Sequence, residues 1–246
     1  MNSMKAFLGR GALAGLAGGA VAAVFHWTVT EHQIRKALEL EAARETGAHE
    51  EMFSRSTQVI GGMVGGVLFG LFVGLIFGFA SALLWRGASH AGGAFSRSIR
   101  LAGAVFVVWT LVPGLKYPAN PPGVGNPDTI GQRTAAYLVL LVVSVLVAIL
   151  AREVWRQMTT RGFAGAPRFA VAVGAYLAVI AALYVVFPAN PDAIDAPADL
   201  IWHFRLDSLA GNALLWLVLG TVFGWLSDRT AARTDSNPSH HESVPT

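Results

Sequence analysis

The sequence predicts an all-α protein, a polytopic membrane helix bundle with six transmembrane helices, on three observations. Of its 246 residues, 54% are hydrophobic and only 13% charged, where a soluble domain carries about 25% charged residues. The apolar residues form continuous runs of membrane-crossing length and do not alternate as barrel strands do. The charges sit in connectors between the runs, with a basic bias toward one side.

The six runs are residues 11–29, 59–85, 101–115, 134–151, 169–187 and 209–226. The first is long, and no clear cleavage site precedes Glu31, so it reads as a retained anchor. The third is short and is expected to extend back past Arg100 and Arg97, whose long side chains can snorkel to the headgroups. Residues 1–230 then form a single six-helix transmembrane domain, and residues 231–246 a polar, disordered cytoplasmic tail.

Charge sets the expected orientation. The N-terminus, the connectors 86–100 and 152–168 and the tail together hold 11 of the 18 Lys and Arg residues. That side is expected to be cytoplasmic, with both termini inside a bacterial inner membrane. Eleven of the 15 acids fall on the other side, either as a cation-attracting vestibule or as ordinary solvated loops. The basic residues form no stripe or block, so a nucleic-acid partner is not expected despite a pI near 9.6.

The second run carries Gly62, Gly66, Gly70, Gly74 and Gly78, four residues apart and therefore near one helix face. The first run offers a matching face at Gly11, Gly15 and Gly19. Helices in lipid associate where small residues let backbones touch, so these two are expected to pack closely. The face is either a fixed packing surface or a gliding one.

The runs pair as helical hairpins, and the last two pairs share a turn. Tyr117-Pro118-Ala119-Asn120-Pro121 closes the third run and Phe187-Pro188-Ala189-Asn190-Pro191 closes the fifth. An acid, an isoleucine and an arginine follow each turn: Asp128, Ile130, Arg133, then Asp199, Ile201, Arg205. Proline cannot donate a backbone hydrogen bond and pushes its predecessor toward extended geometry. Both turns are therefore irregular. Irregular backbone is tolerated at membrane depth only inside protein or against a watery cavity; otherwise these are plain extramembrane loops. Freed carbonyls, the Asn120 amide and the Asp128 carboxylate would be hard oxygen ligands. Arg133 is offered Asp128 as a partner, and Arg205 is offered Asp199 or Asp207; the alternative is that both arginines are interfacial anchors.

Among the seven histidines, His26 near the outer end of the first run, His32 and His49 in the first outer connector, and His203 four residues after Asp199 are candidate metal ligands. Neutral imidazole with carboxylate and no sulfur suits a borderline or hard divalent ion. Simple solvation is the competing reading for each. Cysteine is absent, which excludes disulfides, thiolate zinc sites and thiol nucleophiles. No Walker loop, Gly-x-Ser-x-Gly elbow or dinucleotide fingerprint occurs, so the chain reads as a non-enzyme with no stably bound cofactor.

The stretch Lys116-Tyr117-Pro118-Ala119-Asn120-Pro121-Pro122-Gly123-Val124-Gly125, continuing through Pro127-Asp128 to Gln132-Arg133-Thr134, resembles the signature of the CbtA family of predicted cobalt transporter subunits. Asp199-Leu200-Ile201-Trp202-His203-Phe204-Arg205, with Leu215-Trp216 and Phe223-Gly224 beyond it, is also similar. The resemblance implies an integral membrane subunit of cobalt uptake linked to cobalamin synthesis, with Co²⁺ as substrate. It also implies a small single-span, histidine-bearing partner, CbtB. Asn120, Asp128, Asp199 and His203 are then the foremost candidates to meet the ion. The other reading is a non-transporting scaffold or accessory subunit. A transporter needs a polar path, and the mid-span polar residues are few: Thr28, Ser81, Thr110, Ser144, Asn212 and Thr221.

Overall fold

A computed structural model of the chain describes residues 3–44, 53–85, 93–190 and 194–235, with side chains described as far as Thr230. His49, Pro191 and residues 236–246 lie outside the described residues. Among the described residues every regular element is helical. Six helices are long and apolar enough to cross a membrane: Met4–Arg44, Arg55–Leu84, Ala94–Lys116, Pro127–Thr160, Gly165–Val186 and Ala198–Thr230. The predicted fold class is therefore observed. The third helix does start before Arg97 and Arg100, as its short apolar run required.

In detail, α1 (Met4–Phe25) passes through a π-helical turn, His26–Thr30, into α2 (Glu31–Arg44). Next come α3 (Arg55–Leu84) and α4 (Ala94–Val105), which runs through a second π-helical segment, Phe106–Leu111, into α5 (Val112–Lys116). A 3₁₀ turn at Pro127–Thr129 opens α6 (Ile130–Thr160), and α7 (Gly165–Val186) and α8 (Ala198–Asp235) complete the chain. These elements gather into two compact units. Large apolar side chains such as Ile60, Phe72, Leu146 and Leu177 are exposed along the helices, as contact with lipid tails requires.

The first unit comprises α1, α3, α4 as far as Gly103, and α8 from Ala213. Its centre is backbone against backbone. A Cβ on Gly70 would fall against the Gly15 carbonyl and 2.5 Å from the Gly19 Cα; one on Gly74 would fall against the Gly11 carbonyl and 2.6 Å from the Gly15 Cα. Gly78 meets the Phe7 carbonyl in the same way, at 2.5 Å. Gly66 has room, with the Ala23 Cβ at 3.5 Å, and at Gly62 a Cβ would meet nothing within 4 Å. On its other side α1 touches α8, where a Cβ on Gly18 would lie 2.7 Å from the Leu215 carbonyl.

Phe223 is fully buried and stacks edge-on to Phe77 (5.2 Å) and Trp85 (5.9 Å). The Arg10 guanidinium sits 4.5 Å over the Phe7 ring. Asp228 caps α4 from α8: its carboxylate accepts from the Ala94 N–H at 2.8 Å and the Phe95 N–H at 3.2 Å, satisfying donors that every helix start leaves open.

The second unit comprises the π turn at His26, α2, the chain from Ala104 through α7, and α8 as far as Asn212. Val112, Val147 and Ile180 form its apolar core, with Tyr176 and Tyr184 packed against them. Polar contacts made by side chains organise the rest. In the second π-helical segment the Val112 N–H bonds to the Val107 carbonyl, five residues back. The same register would give the Val108 carbonyl to residue 113, but that residue is proline and has no N–H. The fully buried Ser144 hydroxyl supplies the missing donor at 3.0 Å, and Ser144 also meets the Tyr176 hydroxyl at 3.2 Å.

Candidate functional site

The two proline turns lie side by side in the second unit. Tyr117, at the end of the first, donates its hydroxyl to the Pro188 carbonyl at 2.7 Å. Burial pushes this phenol above its ordinary pKa, which keeps it a donor. Lys116 donates to the Tyr184 carbonyl at 2.8 Å, and the Tyr184 hydroxyl donates in return to the Val112 carbonyl. Both turns therefore have their freed carbonyls bound by side chains from the other hairpin. A cavity of about 250 Å³ opens beside them, lined by Tyr117, Pro118, Arg133, Thr134, Tyr137 and Asn190 among others.

Arg205 reaches the first turn. Its Nη2 donates to Asn120 Oδ1 at 2.9 Å and its Nε to the Ala119 carbonyl at 3.3 Å. This corrects the sequence expectation that Arg205 pairs with Asp199 or Asp207. Pro121 and Pro122 offer no N–H to the preceding carbonyls, so a flat five-donor guanidinium finds acceptors on the turn itself. Asn120 Oδ1, expected as an ion ligand, is occupied by that arginine.

Asp128 lies in the 3₁₀ turn that opens α6, its N–H capped by Asn126 Oδ1 at 2.9 Å. Asp199 lies in the first turn of α8. Both acids thus sit at helix N-termini, where negative charge is favoured whatever else it does. His203 donates Nδ1–H to the Asp199 carbonyl at 2.7 Å, so the two do share a helix face. Both are exposed.

α2 lies across the loops that leave both turns. The Glu41 carboxylate fills the space beside Gly123, where a Cβ would come within 2.5 Å of it and where φ is +71°. Only glycine accepts that conformation and that contact. Arg44 meets Asp195 at 3.4 Å across solvent. His32, also on α2, is exposed. Among the described residues, no three His, Cys, Asp or Glu side chains come together as a metal site.

Sequence reasoning did not find the two π turns, the Tyr117–Pro188 tie or the neighbours of His26. His26 Nδ1 lies 2.9 Å from the Thr30 hydroxyl. Thr30 is itself buried, as is Glu31 beside it, which pairs with Arg35 at 3.1 Å. The face of the ring carrying Nε2 rests on Gly211 of α8, where any Cβ would collide with it.

Six helices long and apolar enough to cross a membrane define a multi-pass membrane protein. The chain belongs to the CbtA family, described as probable cobalt transporter subunit, whose sequence pattern matches residues 4–228. No curated protein and no solved structure matches the chain.

Proposed function

We propose that this chain is the membrane subunit through which Co²⁺ enters the cell for cobalamin synthesis, acting beside a small single-span CbtB-like partner. The observation that carries the reading is the paired proline turns. The first of them holds the residues that most resemble the family, and the two are tied to each other by Tyr117 and Pro188. They also adjoin the 250 Å³ cavity, which Ile130, Arg133 and Thr134 line from the start of α6. The outer acids raise the local cation concentration. Asp128, Asp199 and His203 meet the ion first, and Asn120 holds the turn through Arg205.

The membrane is the bacterial inner membrane, with both termini cytoplasmic. Supporting this are three arginines stacked on tryptophans at helix ends of the more basic side. Arg97 lies over Trp85 (4.9 Å), Arg168 over Trp155 (4.1 Å) and Arg229 over Trp225 (3.8 Å). Such Arg and Trp pairs suit the headgroup zone.

A specific observation favours the scaffold reading: two mid-span hydroxyls are engaged by backbone, although that of Ser81 is buried without a hydrogen-bond partner. Ser144 binds the Val108 carbonyl and Thr221 the Leu217 carbonyl. Cobalt accumulation in cells separates the two readings. Asp128→Asn and Asp199→Asn should each lower cobalt content at unchanged protein level, in cells that also express the partner. Accumulation equal to that of the unmodified chain would leave the scaffold.

A further inference from the structure

We infer that Arg10, near the start of the first membrane helix, holds the headgroup of an anionic phospholipid. The site lies wholly in the first unit and is independent of the ion that the protein handles. Arg10 is only 7% exposed. Its Nε donates to the Ala6 carbonyl at 3.0 Å, one turn earlier, which directs the guanidinium toward the start of α1. Nη2 is buried and donates to nothing. Among the described residues no carboxylate pairs with Arg10. Asp228, which α8 brings to the same end of the unit, is engaged with the Ala94 and Phe95 N–H groups.

A guanidinium withdrawn from water needs a counter-charge and acceptors for its N–H groups. The Phe7 ring at 4.5 Å and the Phe223 ring at 5.9 Å attract the cation but accept no in-plane hydrogen bond. Arg97 borders the same rings. Its guanidinium lies 4.9 Å over Trp85, and Trp85 meets both Phe7 and Phe223 edge-on at 5.9 Å. Arg97 Nε is also buried without a partner. Two cations thus share one aromatic cluster, and no described acid neutralises either.

A phosphodiester meets both needs, since its oxygens accept from a guanidinium through paired, charge-assisted bonds. Basic pockets between membrane helices bind such headgroups. The acyl chains have surface beside the site. Leu13, one turn beyond Arg10 on α1, is 57% exposed, and Leu83, two residues before Trp85 on α3, is 48% exposed. That apolar surface favours a lipid over a free anion. Arg229 provides the contrast: it is exposed and stacks on Trp225 at 3.8 Å, as an ordinary interfacial anchor does.

The full chain, purified in neutral detergent and delipidated, is titrated with phosphatidylglycerol or with phosphatidylcholine of the same acyl chains. Binding is read by native mass spectrometry and by thermal unfolding. One phosphatidylglycerol should bind about tenfold more tightly than phosphatidylcholine and raise Tm. Arg10→Gln should weaken that binding about tenfold, as loss of a charged donor does. Arg97→Gln should weaken it about fivefold, and Arg229→Gln should leave it unchanged.

Equal binding of the two lipids overturns the site and leaves Arg10 to an acidic side chain of a partner. Equal weakening by Arg229→Gln also overturns it, because surface charge in general would then account for the preference. Inorganic phosphate that raises Tm as far as phosphatidylglycerol does would make the ligand a free anion and overturn the lipid. Where Arg10→Gln does not accumulate, the unmodified chain and Arg97→Gln decide. A preference for phosphatidylglycerol that Arg97→Gln reduces supports the site, and one that it leaves intact overturns it.

Discussion

The two units of this protein are built by opposite means. In the first, the central contact is glycine on glycine: α1 and α3 approach until carbonyl oxygens of one lie where the other's Cβ atoms would be. Almost no side-chain chemistry is involved. In the second, helices are broken or widened by proline and by π turns, and the freed carbonyls are bound by side chains: Ser144 at Val108, Tyr184 at Val112, Tyr117 at Pro188, Arg205 at Ala119. Lipid explains both. It gives helices no hydrophobic reason to associate, so close van der Waals contact must serve. It also gives exposed carbonyls no solvent, so each irregularity needs an internal donor. The first solution gives a seam of backbone against backbone. The second gives widened or broken helices whose carbonyls are held by side chains.

The largest effect is expected at the glycine seam. Gly70→Leu would drive a side chain into the Gly15 carbonyl and the Gly19 backbone. Backbone cannot move aside as a side chain can, so the cost should reach about 3 kcal/mol or more. Thermal unfolding of detergent-solubilised protein would show it as a marked loss of stability or as failure to accumulate in the membrane. Gly62→Leu, in the same sequence pattern, meets open space and should leave stability within about 0.5 kcal/mol. Equal effects at the two positions would remove the basis for treating the first unit as a backbone seam.

The second unit's counterpart is Arg205→Ala. It leaves Asn120 Oδ1 and the Ala119 carbonyl without their donor and frees the first turn from α8. Hydrogen bonds from a charged donor are worth about 1.5–3 kcal/mol, so a loss near the middle of that range is expected by the same unfolding measurement. Arg205→Lys should recover only part of it, because a point ammonium cannot span both acceptors as the planar fork does. Full recovery with lysine would mean that charge alone matters there.

What the sequence disclosed follows the same division. The spans were legible because hydrocarbon imposes length and composition. The seam was legible as a period of four. The period marks Gly62 and Gly70 alike, however, although a repeat of four drifts about 40° per step around a helix and at Gly62 no neighbouring backbone remains close. The proline turns were visible as motifs, but their partners were not. Tyr117 and Pro188 are 71 residues apart, and Asp228 caps a helix that begins 134 residues earlier. Pairings of that range leave no local pattern. The π turns were invisible for another reason: a single-residue change of register alters neither composition nor hydropathy. Pro113 inside an apolar run was the one local sign that a carbonyl nearby would need help.

That sign leads to the smallest expected effect and the sharpest test of the second unit. Ser144→Ala should cost about 1–2 kcal/mol, because the Val108 carbonyl is then buried without a donor. The loss is not intrinsic to serine. It exists only because residue 113 cannot donate in the π register that Val112 adopts. Pro113→Ala restores an N–H at that place. Made alone, it offers Val108 a second donor and changes stability little, since the Ser144 bond is already present. Made together with Ser144→Ala, it should return most of what the serine substitution lost. A double-mutant cycle read by thermal unfolding should therefore give a coupling of about 1 kcal/mol favouring the pair of changes. Strict additivity would show that Ser144 stabilises the helix through Tyr176 or packing, and that the widened turn in the third membrane helix does not depend on a donor borrowed from its neighbour.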